Sequence, residues 1–275
     1  MSVTAKRDVS ALELQAKEVR REIVKMIGAS ASGHPGGSLS AADVMTALYF
    51  SELNQEPATV EDDSRDRFIL SKGHGVPAQY AAMALRGYFD RESLSTLRQF
   101  GSPLQGHPER GRMPGIEAST GSLGQGISIG IGMALAARLD QADWRTYVLI
   151  GDGEANEGQI WEAAMSAAHF GLGNLCVIMD CNGIQLDGFV KDILDMGDVS
   201  EKWRAFGWNT ITIDGHDMAQ VLDAFDQARR VTDKPTCIVA NTIKGKGVSF
   251  MENNPGFHGV APTADEVERA LAELA

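Results

Sequence analysis

Cysteine is scarce in this chain, with three in 275 residues. Cys176, Cys181 and Cys237 are odd in number, show no metal-ligand spacing, and two of them lie in or beside apolar runs. Neither a disulfide framework nor a thiolate metal site is expected, and a reducing, cytoplasmic setting is. No apolar run approaches the roughly 18 residues that a membrane helix needs, and the N-terminus opens with mixed charge where a signal segment would be apolar. Membrane spanning and secretion are therefore not expected. Basic clusters are missing as well: 25 Lys and Arg are scattered among 37 Asp and Glu, for a net charge of −12. A nucleic-acid face needs clustered positive charge, so the acidic balance reads as a solvated surface. There is no repeat, low-complexity tract or linker, and one domain over residues 1–275 is expected.

What is present suits a single large core, with 43% hydrophobic and 23% charged residues. Leu12, Ala16, Val19, Ile23 and Ile27 recur at spacings of three and four, predicting an amphipathic helix from Val9 to Ile27 closed by Gly28. A second helix is expected from Ser40, where Asp43 completes a capping-box-like pair, after a loop Gly33-His34-Pro35-Gly36-Gly37. Short buried strands are predicted at Phe68–Leu70, Tyr147–Ile150, Val177–Met179, Thr210–Ile213 and Ile238–Ala240. Helical patterns at about 77–87, 126–140, 157–170, 217–230 and 263–274 fall around them. Strands separated by helices need crossover connections, so the fold class is α/β, a doubly wound and mainly parallel sheet flanked by helices. The Gly-rich segment from Lys244 to Pro262 reads as a functional loop.

In such folds ligands bind beyond the carboxyl ends of the strands. Strand 147–150 runs into Gly151-Asp152-Gly153-Glu154-Ala155-Asn156-Glu157-Gly158 and then a helix. Free N–H groups and the helix dipole favour a phosphate there, and Asp152 supplies the hard oxygen that a phosphate-bridging Mg²⁺ requires. After the next strand, Asn182 offers a side-chain oxygen and Ile184 a main-chain carbonyl, so two neighbouring strand tips could present three oxygens to one ion. Gly-Asp-Gly alone reads equally well as a bare turn. Paired with Asn182, it resembles the thiamine-diphosphate enzyme motif, which opens on Gly-Asp-Gly and closes on an Asn-containing element after the following strand.

Four of the six histidines sit in Gly-rich loops: His34 in Gly-His-Pro-Gly-Gly, His74 in Ser-Lys-Gly-His-Gly, His107 in Gly-His-Pro-Glu and His258 in Phe-His-Gly-Val-Ala-Pro. Imidazoles relay protons near neutral pH, which suits a polyhydroxylated substrate. With Thr-Gly-Ser-Leu-Gly-Gln-Gly at Thr120–Gly126, these loops in this order resemble the cofactor-binding part of transketolase over nearly the whole chain. The resemblance implies that His34, His74, His107 and His258 line the substrate channel, His74 also touching the cofactor. It implies that Gly121 and Leu123 contact the thiazolium and pyrimidine region, that Gly153 touches the diphosphate, and that Asp152, Asn182 and Ile184 hold Mg²⁺. Lys72 and Lys244 resemble lysines that approach the diphosphate, although either could be a solvated side chain. Glu157 at a helix start is explained by the helix dipole, whereas the resemblance places it between the two cofactor sites of a dimer. His169 and His216 read as structural.

The activity implied is transfer of a two-carbon ketol unit from a ketose phosphate to an aldose phosphate, with thiamine diphosphate and Mg²⁺. The carboxylate that activates the cofactor comes, in that family, from a pyrimidine-binding domain, and after His258 only one short helix remains here. The expectation is a separately encoded C-terminal transketolase subunit supplying the catalytic Glu, in an assembly of two copies of each chain. Alternatives that share the diphosphate motif are a deoxyxylulose-phosphate synthase fragment, the α-subunit of a 2-oxoacid dehydrogenase, and a non-catalytic cofactor-binding chain. The four histidine loops favour a sugar substrate over a 2-oxoacid.

Overall fold

The computed structural model describes residues 8–186 and 188–275; the first seven residues, on which the reading of the N-terminus rested, lie outside them. Helix α1 spans Val9–Ser30 and is capped by Asp8, whose carboxylate accepts from Ala11 N at 3.1 Å. It buries Ala16, Val19, Ile23 and Ile27, the predicted stripe. Gly28 does not end it. A Cβ at Gly28 would stand 2.4 Å from Val267 Cγ2, so this glycine serves close helix packing, and the helix stops only where Ala31 turns left-handed at φ 49°.

A second difference follows at once. The Gly-His-Pro-Gly-Gly segment is not all loop, because Pro35 opens helix α2 (Pro35–Ser40), the position where its missing N–H costs nothing. Helix α3 (Ala42–Ala47) comes next and runs into a π-helical turn over Leu48–Glu52. Ser40 is thus the last residue of α2 and not an N-cap. Its hydroxyl donates to Asp180 at 2.6 Å, and Asp43 closes no capping box but pairs with Arg20 and His216. Tertiary partners have displaced the local motif.

Strands β1 (Arg67–Leu70), β2 (Thr146–Gly151) and β3 (Leu175–Cys181) are joined through helices α4 (Val76–Arg86), α5 (Gln125–Leu139) and α6 (Gly158–His169). A small antiparallel hairpin of β4 (Ile184–Gln185) and β5 (Gly188–Phe189) follows, then short helices α7 (Val190–Ile193) and α8 (Val199–Ala205). None of these four elements was predicted. The chain ends with β6 (Asn209–Asp214), α9 (Met218–Arg230), β7 (Thr236–Asn241) and α10 (Ala264–Glu273).

The main sheet is five-stranded, in the order β1-β2-β3-β7-β6, and every pairing in it is parallel. Alternate residues divide between two cores. Phe68, Leu70, Tyr147, Leu149, Cys176, Ile178, Ile238 and Ala240 pack with α1, α3, α4 and α9, while Ile69, Val148, Ile150, Val177, Met179, Cys237 and Val239 pack with α5, α6 and α8. Both faces are covered, as a parallel sheet requires. Cys176 and Cys237 face opposite layers and all three cysteines are free. A Cβ at Gly130 would lie 2.5 Å from Val148 Cγ2, which is how α5 sits so close to β2. No helix among the described residues is long and apolar enough to cross a membrane.

From β3 the chain skips to the edge at β6 and returns to β7, so the direction of winding reverses at the edge and leaves β3 and β7 side by side. The crevice at their carboxyl ends is the topological switch point where such folds bind ligands.

Candidate active site

A cavity of about 320 Å³ opens at these strand ends, and its walls include the four loop histidines, Gly121, Leu123, Asp152, Gly153, Asn182, Ile184 and Lys244. At the tip of β2, Asp152 accepts from Gly153 N at 2.8 Å and, through its other oxygen, from Gly183 N at 2.6 Å. The second bond ties the β2 loop to the β3 loop. Burial, aided by the charge of Asp180, pushes the Asp152 carboxyl up to about 6. Asn182 Oδ1 accepts from Ile184 N at 3.2 Å, and the Ile184 carbonyl accepts from Lys244 Nζ at 2.8 Å. Gly153 cannot carry a side chain without moving its neighbour, since a Cβ would stand 2.7 Å from Gln185 Cβ.

Among the described residues no cluster of three or more His, Cys, Asp or Glu could hold a metal. The donor set at this site is different: one carboxylate, one amide oxygen and one carbonyl. These are hard oxygens, and Mg²⁺ commonly takes one carboxylate together with substrate phosphate oxygens. Asp152, Asn182 and Ile184 all line the same cavity at neighbouring strand tips, so the residues present fit the ion.

The two lysines differ. Lys72, at the tip of β1, is neither solvated nor free, because its ammonium pairs with Asp180 and donates to Gly37 O at 2.8 Å. Asp180 also accepts from Ser40 and Thr242. Its burial would raise the carboxyl, but the Lys72 charge and these bonds outweigh that and hold it low. Lys244 is just as buried, donating to Ile184 O and lying 2.7 Å from His258 Nδ1, yet it forms no ion pair among the described residues. Burial, then the Lys72 charge, lowers its ammonium to about 8. Asp152 and Asp180 offset this only in part, so an interior cation with no paired carboxylate is costly, and an anionic ligand in the cavity would stabilise it.

The four histidine loops converge on His34. Its ring centroid lies 5.3 Å from that of His74, 6.1 Å from His107 and 5.6 Å from His258, and His74 stacks on His258 at 5.3 Å. Burial is the largest cause that holds each imidazole below its ordinary value: His34 to about 4, His258 to about 3, His74 far down, and His107 less so. All four are neutral near pH 7, each with one nitrogen to donate and one to accept.

Three features were not singled out in the sequence. Arg98 has a left-handed backbone (φ 58°) and places its guanidinium between loops, donating to Ser32 Oγ at 2.9 Å and lying 3.4 Å from His34 Nδ1 and from Gly106 O. Its charge helps keep His34 and His107 unprotonated. Glu154 is buried and accepts from Gly124 N at 2.8 Å, Gly151 N at 3.0 Å and Ser71, so it joins the Gly-Asp-Gly turn to the Thr120–Gly126 loop. It stands inside the quoted motif, but only its contacts separate it from Glu157. The third is Gln159, which donates to Leu123 O at 2.8 Å and braces that loop.

Gly121, at φ 151°, lies under His107, with a Cβ there only 3.3 Å from the ring. Glu157 is the exposed N-cap of α6 and makes no side-chain cap bond; it stands on the cavity rim. His169 is exposed at the end of α6. His216 lies outside the cavity, bonded to Asp43 at 2.7 Å.

Residues 13–274 match the transketolase, thiamine diphosphate binding domain. One chain of the apulose-4-phosphate transketolase of Phocaeicola vulgatus, named as a subunit of that enzyme, is 42% identical over 266 residues, which cover 97% of this chain and 94% of that protein. A 6-deoxy-6-sulfo-D-fructose transketolase subunit from a Clostridium strain is 46% identical over 263 residues, covering 96% of each. Among solved structures, a transketolase variant from Pichia stipitis superposes with a TM-score of 0.92 at 34% identity over 98% of this chain. The transketolase of Campylobacter jejuni gives 0.89 at 31% identity, again over 98%. This chain spans only 41% and 43% of those two solved chains. It belongs to the transketolase family, as the part of those enzymes that binds thiamine diphosphate.

Proposed function

We propose that this chain is the cofactor-binding subunit of a two-chain transketolase, a transferase that moves a two-carbon ketol unit from a ketose phosphate to an aldose phosphate. The observation that carries the reading is that four neutral imidazoles, three oxygen donors and a buried ammonium without an ion-pair partner among the described residues line a single cavity. Relatives of the same length are named as single subunits of such enzymes, which supports a partner chain. That partner supplies the activating Glu from a pyrimidine-binding domain, in an assembly of two copies of each chain in the cytoplasm, and residues 1–275 act as one diphosphate-binding domain.

Thiamine diphosphate, when bound, supplies the electron sink for carbon–carbon cleavage. Asp152, Asn182 and the Ile184 carbonyl hold Mg²⁺, while Lys244 and the Gly153 main chain meet the diphosphate. Gly121 and Leu123 border the thiazolium and pyrimidine, and Glu157 reaches toward the counterpart site across a dimer. His34, His74, His107 and His258 donate to the ketose carbonyl and exchange protons with its hydroxyls, which neutral imidazoles do without a charge to desolvate. Arg98 orients His34 and keeps it neutral.

The test is reconstitution with the product of the neighbouring gene, Mg²⁺ and thiamine diphosphate, followed by a coupled assay of ketol transfer from xylulose 5-phosphate and from modified ketose phosphates. Transfer by the mixture and none by the chain alone is expected. Release of CO₂ from pyruvate without ketol transfer would replace this reading with a 2-oxoacid enzyme.

A further inference from the structure

A second polar cluster lies behind the cavity and ends at it. Arg20 of α1 forks onto Asp43 of α3, with Nη1 donating to Oδ1 at 3.0 Å and Nη2 to Oδ2. Asp43 Oδ2 also meets His216 Nδ1 at 2.7 Å, in the turn after β6. The other ring nitrogen, His216 Nε2, accepts the main-chain N–H of Ile243 at 2.8 Å. An amide only donates there, so Nε2 carries the lone pair and the imidazole proton sits on Nδ1, aimed at Asp43. The turn is seated against the end of β7: Gly215 N donates to Asn241 O at 2.8 Å, and a Cβ at Gly215 would stand 2.5 Å from Thr242 Cγ2.

Arg20 and Asp43 are 8% and 6% exposed. Burying an ion pair costs desolvation that well-packed apolar side chains would avoid, so stability alone does not account for it. What the cluster does fix is the backbone of Ile243, the residue before Lys244. On the far side Gly245 N donates to Gly36 O at 3.0 Å, so the lysine is pinned at both flanks.

We propose that Arg20, Asp43 and His216 form a positioning relay that holds the main chain at Ile243 and thereby sets the Lys244 ammonium over the diphosphate pocket. The inference rests on the reading that Lys244 meets the diphosphate. The relay touches neither substrate nor cofactor, and it acts on how tightly the cofactor is held. A side chain that only fills space at position 216 would leave that affinity alone.

The experiment uses the assembled two-chain enzyme and measures thiamine diphosphate affinity with Mg²⁺ by calorimetry, alongside the thermal midpoint without cofactor and kcat at saturating cofactor. His216→Phe keeps a planar ring but cannot accept from Ile243 or donate to Asp43. It should weaken affinity by about 10- to 100-fold, the range set by outer-shell partners elsewhere, with kcat nearly unchanged. His216→Gln retains an acceptor and should recover most of the loss. Hydrogen exchange at Ile243 and Gly245 should quicken in the Phe variant. A lowered thermal midpoint with wild-type cofactor affinity would overturn the relay. Should His216→Phe not fold, Asp43→Asn is measured in the same way, and unchanged affinity there overturns it equally. Lys244→Met separates the two readings: if it weakens binding while His216→Phe does not, the relay alone fails, and if neither weakens binding, the role given to Lys244 fails with it.

Discussion

Lys72, which lines the cavity, forms an ion pair with Asp180, their side chains 1% and 2% exposed. They join the tip of β1 to the end of β3, and with Ser40 and Thr242 on the same carboxylate they link the ends of three strands and helix α2. Lys72→Met leaves Asp180 as an uncompensated interior charge and should cost roughly 3–5 kcal/mol. Adding Asp180→Leu should recover part of that loss. Urea unfolding midpoints of the two variants check this, and a double variant less stable than the single would contradict it.

Asp152→Ala removes the one carboxylate of the oxygen set. Mg²⁺-dependent thiamine diphosphate binding by the assembled enzyme should fall beyond the titratable range, while circular dichroism stays that of the wild type. Asn182→Leu should weaken it less, because it removes a neutral amide oxygen and leaves the charged carboxylate of Asp152 in place. Retained metal-dependent affinity in Asp152→Ala would refute the metal assignment.

His34 is the ring about which the other three imidazoles gather. His34→Ala should lower kcat/KM for the ketose donor by roughly 10²–10⁴, the range for a lost proton-transfer group, with cofactor affinity within a few-fold of wild type. Arg98→Gln should act in the same direction but more weakly. Equal losses in cofactor affinity and in turnover would place His34 in cofactor binding instead.

The pH dependence of stability has a definite sign. His34 and His258 are held near 4 and 3 in the folded chain, against an ordinary value of 6.5, first by burial and then by neighbouring cations. The unfolded chain therefore binds more protons between those values, so the contribution is fully present above about 6.5 and is lost as pH falls to about 4 for His34 and about 3 for His258. The cofactor-free thermal midpoint should drop through that window. His34→Gln combined with His258→Gln should flatten the drop, and an unchanged slope would show that other groups set it.

The sequence by itself determined the strands and the parallel, helix-flanked sheet, while their order and the division of the one expected core into two came from the tertiary structure. Runs such as Tyr147–Ile150 and Val177–Met179 are apolar on both faces, and strands spaced by helices favour parallel crossovers, so local pattern pointed to such a sheet. It also singled out Gly-Asp-Gly and the four histidine loops, because unusual residues on Gly-rich backbone stand out without knowledge of their neighbours. Tertiary structure decided what each does with its partners. Gly28 looked like a helix stop and instead admits Val267; Ser40 looked like a cap and instead bonds Asp180. Lys72 and Lys244 are alike in sequence terms, yet one is committed to an ion pair and the other forms none among the described residues. Glu154 and Glu157 share one motif but are separated by burial. In each case the deciding energy is a long-range contact or the desolvation it imposes, and neither is encoded in the spacing of residues along the chain.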